Sequence, residues 1–238
     1  MKTGFVDIHQ HLLWGMDDGA ESRQVMWAML NYAQEQQIRC ICATSHAMPG
    51  IHPFDLCRYE QRLTEAQEIC SKNKWPIRII PGAEVAWTFN TVNALKQGRV
   101  PTLNHSDYVL LEFWPSARWN EVEDAVRQTL CAGFVPILAH VERYRCFFWN
   151  PRQAAAMKQR YPIFYQVNAS SVLGGEGALR RRCAGELLKR RLVDAVATDA
   201  HNCTNRPPQM LEAYQRLKTE YDEDYADALT HFCEVFSG

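Results

Sequence analysis

Seven short apolar runs in this chain end on polar residues, and six of those endings can ligate a metal ion. GFVDIHQH carries His9 and His11, IRCICATSH carries His46, IRIIPGAEV carries Glu84 and YVLLEF carries Glu112. VPILAHVER carries His140, and VDAVATDAH carries Asp199 and His201. The seventh run, YQVNASS, ends on Asn168, an amide suited to holding a ligand in place. Asp17 and Asp18 stand together before Gly19; one reads as a ligand and the other as a turn residue, and the spacing leaves both open. With Asp18 counted, nine candidates are too many for one ion, so two or three ions sharing a bridging carboxylate fit better. The set is imidazole and carboxylate without thiolate, which suits Mn, Fe or Zn in a catalytic site rather than a structural zinc. Such clusters activate water at neutral pH and neutralise charge on a phosphoryl group. Arg143, just past His140, and Arg206, just past His201, are placed to bind phosphate oxygens bidentately.

Side chains alternate across a strand, so Asp7, His9 and His11 are expected on one face, with Asp7 orienting rather than ligating. A single HxH is weak evidence, and a lone histidine is more often structural or exposed; His52, His105 and His231 read that way, although His52 is also a candidate to line the lid. HxH followed by five further ligand-bearing strand ends is hard to obtain by accident. Two other patterns are rejected. Cys146 and Arg152 match the bare C-x5-R spacing of thiol phosphatases, but the intervening Phe147, Phe148, Trp149 and Pro151 cannot form a phosphate-wrapping loop of backbone N–H groups. The basic stretch ALRRRCAGELLKRR reads as a solvated helix face.

Ligands spread over nearly the whole sequence must converge, and the C-terminal face of a β/α barrel makes strand ends converge. The 238 residues fit one barrel domain, residues 1–238, and 47% apolar content supplies a core. The net charge of −1 gives no general attraction for nucleic acid or membrane. No run approaches the ~18 apolar residues of a spanning helix. The N-terminus runs straight into the first ligand strand, so no signal peptide is expected. Nine cysteines, odd in number and without a CxxC pair, point to reduced thiols and a cytoplasmic protein. Between the strands, residues 21–37 predict a helix with Ser22 as N-cap and Met26, Met29, Leu30 and Ala33 on one face. Further helices are expected from Asp55 and over 119–132, 151–160, 178–191 and 207–219, the last opening on Pro207-Pro208. A final helix, about 222–236, would cover the barrel. Alternating β and α favours parallel strands. Residues 47–54, AMPGIHPF, form the candidate lid, and Met48, His52 and Phe54 give it an apolar and aromatic rim suited to a phenyl ring. Pro49 and Pro53 restrain this loop and Gly50 supplies a hinge.

The blocks DIHQHLLWGMDDGA, TSHAMPG, PGAEV, LLEF, AHVERY, QVNASS and ATDAHN…RPP, in that order, resemble the polymerase and histidinol phosphatase (PHP) superfamily. Within it they look like the manganese-dependent protein-tyrosine phosphatases of bacterial capsule and exopolysaccharide operons. The resemblance covers essentially the whole chain. It implies a distorted seven-stranded β/α (TIM-like) barrel with up to three Mn2+ ions. By carry-over, His9, His11, Glu84 and Asp199 hold one ion; Glu84 bridges to a second, held also by Glu112 and His140; Asp18, His46 and His201 hold a third. Glu112, where many superfamily members have histidine, and Asp18 favour the tyrosine phosphatase branch. The implied substrate is a phosphotyrosine protein, the tail of a bacterial tyrosine kinase. The rival activities are a small-molecule phosphatase of histidinol phosphatase type and a metal-dependent exonuclease; outside enzymes, the rival is a silent metal- or kinase-binding module.

Overall fold

The computed structural model describes residues 4–232. Seven strands, β1 (Phe5–Gln10), β2 (Ile38–Ala47), β3 (Arg78–Ala86), β4 (Tyr108–Glu112), β5 (Val135–Leu138), β6 (Phe164–Asn168) and β7 (Ala195–Ala197), pair in sequence order, all parallel. The helices are α1 (Arg23–Glu35), α2 (Leu56–Asn73), α3 (Thr91–Lys96), α4 (Trp119–Cys131), α5 (Arg145–Trp149), α6 (Pro151–Arg160), α7 (Ala169–Leu173), α8 (Ala178–Lys189), α9 (Met210–Glu220) and α10 (Glu223–Thr230). This is the TIM-like barrel the strand ends implied. Asp199 N donates to His9 O and His11 N to Ala200 O, at 2.8 and 2.9 Å, so the seam between β7 and β1 closes through ligand-bearing backbone.

Local chemistry explains the framing helices. Ser22 caps α1 by accepting from Val25 N, and Met26, Met29, Leu30 and Ala33 are its buried face, as their spacing requires. Asp55 caps α2 through Arg58 N. The helix after Pro207-Pro208 starts only at Met210: proline disfavours helical geometry in the residue before it, so Pro207 stays outside. α10 ends at Thr230, and positions 233–236 of the expected last helix lie outside the described residues. α3, α5 and α7 span six, five and five residues, too short to show a periodic pattern.

Two apolar clusters separate lumen from shell. Val6, Ile8, Cys42, Ile80, Leu110 and Ile137 pack inside the barrel. Residues such as Ile41, Ile79 and Val109 pack outward with the helices. Alternation carries Glu84 and Glu112 to the lumen above Ile80 and Leu110. It fails in β1. A bulge between Asp7 and Gln10 shifts the register, so Ile8 and His9 both turn inward, and Asp7, paired with Ile41, does not share the face of His9. The Asp7 carboxylate instead accepts from Thr198 N and Thr198 Oγ1, at 2.9 and 2.5 Å, pinning β1 to the end of β7. Among the described residues no disulfide is formed and no helix is long and apolar enough to cross a membrane.

Candidate metal centre

All nine expected ligands meet at the C-terminal end of the barrel. His9 Nε2 lies 3.2 Å from His11 Nε2, 3.2 Å from Glu84 Oε2 and 3.5 Å from Asp199 Oδ1. His11 Nε2 lies 3.2 Å from Glu84 Oε2 and 3.4 Å from Asp199 Oδ1. Ligands about 2.1 Å from a tetrahedral ion stand about 3.4 Å apart, so these four atoms have the spacing of one coordination shell. The other oxygen of Glu84, Oε1, lies 2.7 Å from His140 Nε2, which is 3.5 Å from Glu112 Oε1. Glu84 therefore faces two donor sets, as a bridging carboxylate would. Asp18 Oδ1 lies 3.4 Å from both His46 Nε2 and His201 Nε2. The sets interlock more than the resemblance implied, since His46 Nδ1 is also 3.1 Å from Glu84 Oε2.

Hydrogen bonds on the far ring nitrogens decide which atom each histidine offers. Gln166 Oε1 lies 3.2 Å from His9 Nδ1, Asp17 Oδ2 lies 2.8 Å from His11 Nδ1, and the Asp199 carbonyl lies 3.0 Å from His201 Nδ1. Each leaves Nε2 for the centre, and His201 Nε2 is buried without a hydrogen-bond partner. The aspartate pair is thereby separated. Asp18, 65% exposed, projects its carboxylate between His46 and His201, whereas Asp17 turns inward. Asp17 Oδ2 also accepts from His46 N, and its Oδ1 accepts from Gly19 N. Gly19 is required at this turn, because a Cβ there would lie 2.2 Å from the His11 carbonyl.

Burial opposes charge on every group here, and mutual attraction overrides it for most. Glu84, beside His9, His11 and His140, and Asp199, beside His9, His11 and Arg143, are held well below the usual carboxylate range. Against burial, Glu84 and Asp199 raise the proton affinity of His9, Asp17 chiefly that of His11, and Asp18 chiefly that of His46. His201, where burial wins, is pushed down. Burial, with Glu84 nearby, pushes Glu112 up. The pocket draws positive charge to the imidazole lone pairs that a divalent ion would use. His140 and Asp199 both adopt left-handed backbone, with φ of 31° and 52°, a conformation that costs non-glycine residues of order 1–3 kcal/mol and collects at functional sites.

Around the donors, Asn168 Nδ2 donates to Asp199 Oδ2 at 2.8 Å. Arg143 Nη2 and Arg206 Nη2 reach the same oxygen at 3.0 and 2.6 Å. Arg143 is also gripped bidentately by Glu176, at 3.0 Å on each arm. Sequence reasoning missed Asp17's role, Gln166 and Glu176. Gln166 had a signal, being polar two residues before Asn168 on an otherwise apolar strand; Glu176, flanked by Gly174, Gly175 and Gly177, had a weaker one.

The loop 47–54 adjoins this centre. Met48, His52 and Phe54 line one cavity of about 370 Å³ with His46, and Phe54 is half-buried with its ring 5.3 Å from Tyr59. A second cavity, of about 740 Å³, is walled by His46, Met48, Glu112, Trp87, Phe113 and Trp114, among others. His105 is exposed beyond the N-terminal end of β4, and His231 packs 5.6 Å from Phe5. Cys146 sits in α5, its thiol pushed by burial up to about 11, while Arg152 is exposed on α6. In α8 two of the basic residues pair with acids, Arg180 with Glu176 and Arg181 with Glu220.

A family model for capsular polysaccharide synthesis, CpsB/CapC, matches residues 5–233. The chain belongs to the CpsB/CapC family. It is 29% identical to the tyrosine-protein phosphatase CpsB of Streptococcus pneumoniae, over 94% of each chain. It is 27% identical to the tyrosine-protein phosphatase YwqE of Bacillus subtilis, over 97% of this chain and 90% of that one. A solved structure from work on YwqE of Bacillus subtilis and CpsB of Streptococcus pneumoniae, described as unique metal-dependent tyrosine phosphatases, superposes with a TM-score of 0.84 at 27% identity. That superposition covers 93% of this chain and 89% of the other. These relatives match the chain over nearly its full length, so the likeness spans the strands whose ends carry the candidate ligands.

Proposed function

We propose that this CpsB/CapC chain is a metal-dependent protein-tyrosine phosphatase, a single domain acting in the cytoplasm on a phosphorylated tyrosine kinase in capsule or exopolysaccharide synthesis. Mn2+ is the proposed metal. The observation that carries the reading is the meeting of five histidines and four carboxylates at one barrel mouth, in a chain whose relatives bear that activity.

His9, His11, Glu84 and Asp199 would hold one ion, Glu84, Glu112 and His140 a second, and Asp18, His46 and His201 a third. Bound divalent ions supply Lewis-acid polarisation of the phosphoryl oxygens and lower the pKa of water. The protein's own groups do the positioning. Arg143 spends three of its five N–H donors on Glu176 and Asp199, and the rest remain for equatorial phosphoryl oxygens. Arg206, one contact into Asp199, adds a second guanidinium. Together they balance charge that builds on the phosphoryl group during in-line displacement. A phenol leaves with a pKa of about 10, so the departing oxygen needs less protonation than an alkoxide would.

The test is a substrate panel for the Mn2+-loaded protein: phosphotyrosine peptide, phosphoserine peptide, histidinol phosphate and single-stranded DNA. The phosphotyrosine peptide should give the highest kcat/KM. A higher value for histidinol phosphate would overturn the substrate class while leaving the ligand assignment standing.

A further inference from the structure

Large apolar side chains left in water concentrate on one side of the barrel mouth. Five are exposed among the described residues, and three of them, Ile51, Phe89 and Trp114, follow β2, β3 and β4 in turn. They are 55%, 87% and 71% exposed. The loops that carry them are stitched together. Thr88 Oγ1 donates to the Pro49 carbonyl at 2.6 Å, and Trp87 N donates to the Glu112 carbonyl at 2.9 Å. Trp87 then lies 6.5 Å from Phe113, centroid to centroid. These side chains are therefore displayed on a braced wall. At one end of the wall Trp114, with Trp87 and Phe113, lines the cavity of about 740 Å³ that also includes the candidate ligands His46 and Glu112; Ile51 and Phe89 stand on the bonded loops outside it.

We infer that this wall is the docking surface for the polypeptide flanking the phosphotyrosine, and that it selects segments with a large apolar side chain within a few residues of it. The inference rests on the phosphatase reading above. Continuity supports a peptide occupant: whatever touches Trp114 is joined through the cavity to the group held over His46 and Glu112. A compact polar metabolite within the cavity would leave Ile51 and Phe89 wet. Area argues against a second copy of the chain. Three such side chains expose on the order of 400 Å², against the ~800 Å² per partner of a stable interface. Charge narrows the choice further, since Glu121 and Asp124 outnumber Arg118 on the same cavity lining, a net acidic balance that disfavours acidic flanks.

Trp114→Ala and Phe89→Ala test this, as neither side chain makes a hydrogen bond or ring contact to a candidate ligand or to either arginine. Kinetics would be measured on a phosphotyrosine peptide with apolar flanks, the same peptide with glycine and serine flanks, and para-nitrophenyl phosphate. Each variant should raise KM for the apolar peptide about tenfold with kcat unchanged, the effect of losing one interface anchor. Para-nitrophenyl phosphate should be hydrolysed as before, and the glycine-serine peptide should bind poorly to every form. Unchanged melting temperatures would exclude misfolding. Unchanged KM for the apolar peptide, or an equal loss on para-nitrophenyl phosphate, would overturn the docking surface. So would unchanged peptide kinetics with a wild-type dimer that becomes monomeric in Trp114→Ala, which would assign the wall to a second copy. Wild-type protein that hydrolyses para-nitrophenyl phosphate and no phosphotyrosine peptide would instead remove the activity reading beneath it.

Discussion

Asp17→Asn separates an orienting carboxylate from a ligand. Asp17 Oδ2 accepts from His11 Nδ1 and His46 N, both at 2.8 Å, and Oδ1 accepts from Gly19 N at 3.0 Å. Asparagine has one acceptor oxygen, so no rotamer satisfies all three donors. If its oxygen faces His11 and His46, the amide N–H groups confront Gly19 N. If its nitrogen faces His11, the ring moves its proton to Nε2, the atom aimed 3.2 Å from Glu84 and 3.4 Å from Asp199. Either outcome weakens the donor set without deleting a ligand. Loss of such a partner typically costs 10–100-fold in metal affinity, about 1.4–2.7 kcal/mol. The assay is Mn2+ titration of para-nitrophenyl phosphate hydrolysis in chelator-stripped protein, alongside calorimetric binding. Asp17→Asn should need about 10–100-fold more Mn2+ and then regain most of its kcat. Asp18→Asn, which alters a group facing the centre, should stay slow at saturating Mn2+. Wild-type Mn2+ affinity in Asp17→Asn would refute the argument, as would full kcat in Asp18→Asn at ordinary Mn2+.

Two further outcomes follow from the same geometry. Cys146→Ser should keep most activity, because the thiol is pushed up to about 11 and Arg152 is exposed on a neighbouring helix; a chelator should abolish hydrolysis, and a folded, metal-loaded and dead Cys146→Ser would sink the metal mechanism. Burial pushes Glu176 up, but the Arg143 fork more than reverses this and holds it at about 2 against 4.5; its stabilisation is therefore present above about pH 4.5 and lost as pH falls toward 2. Chemical denaturation of chelated protein between pH 5 and 3 should show wild type losing about 2 kcal/mol more than Glu176→Gln, and parallel pH profiles would contradict the assignment.

The barrel and the convergence of its candidate ligands were legible because both leave short-range traces. Apolar runs alternate with amphipathic helices, and a ligand recurs where each run stops; alternation alone carries Glu84 and Glu112 to the lumen. What stayed hidden depends on backbone irregularity and distant partners. The bulge in β1 brings Ile8 and His9 to the same side, against strict alternation, and so removes Asp7 from the face expected of it. The true partner of Asp7, Thr198, is 191 positions away. Asp17 and Asp18 are chemically identical neighbours, distinguished only by where His11, His46 and His201 lie. Glu176 owes its role to Arg143, 33 residues earlier, with only flanking glycines to hint at it.

The seam between β7 and β1 shows why fold and site were legible together. β7 has three residues, too few for a long ladder to close the barrel. Closure falls instead to Asp199 N on His9 O, His11 N on Ala200 O and the Asp7 carboxylate on Thr198. Two of those links run through ligand residues, and the third is two residues from His9. The backbone that joins the ends of the sheet is thus the backbone that sets the spacing of His9, His11 and Asp199. An ion held by these three side chains would clamp the first strand to the last, and its binding free energy would then also act on barrel closure. Left-handed backbone at Asp199 ends the regular run of β7, whose Ala195 and Ala197 already face the lumen, and leaves the closing contacts to these three links.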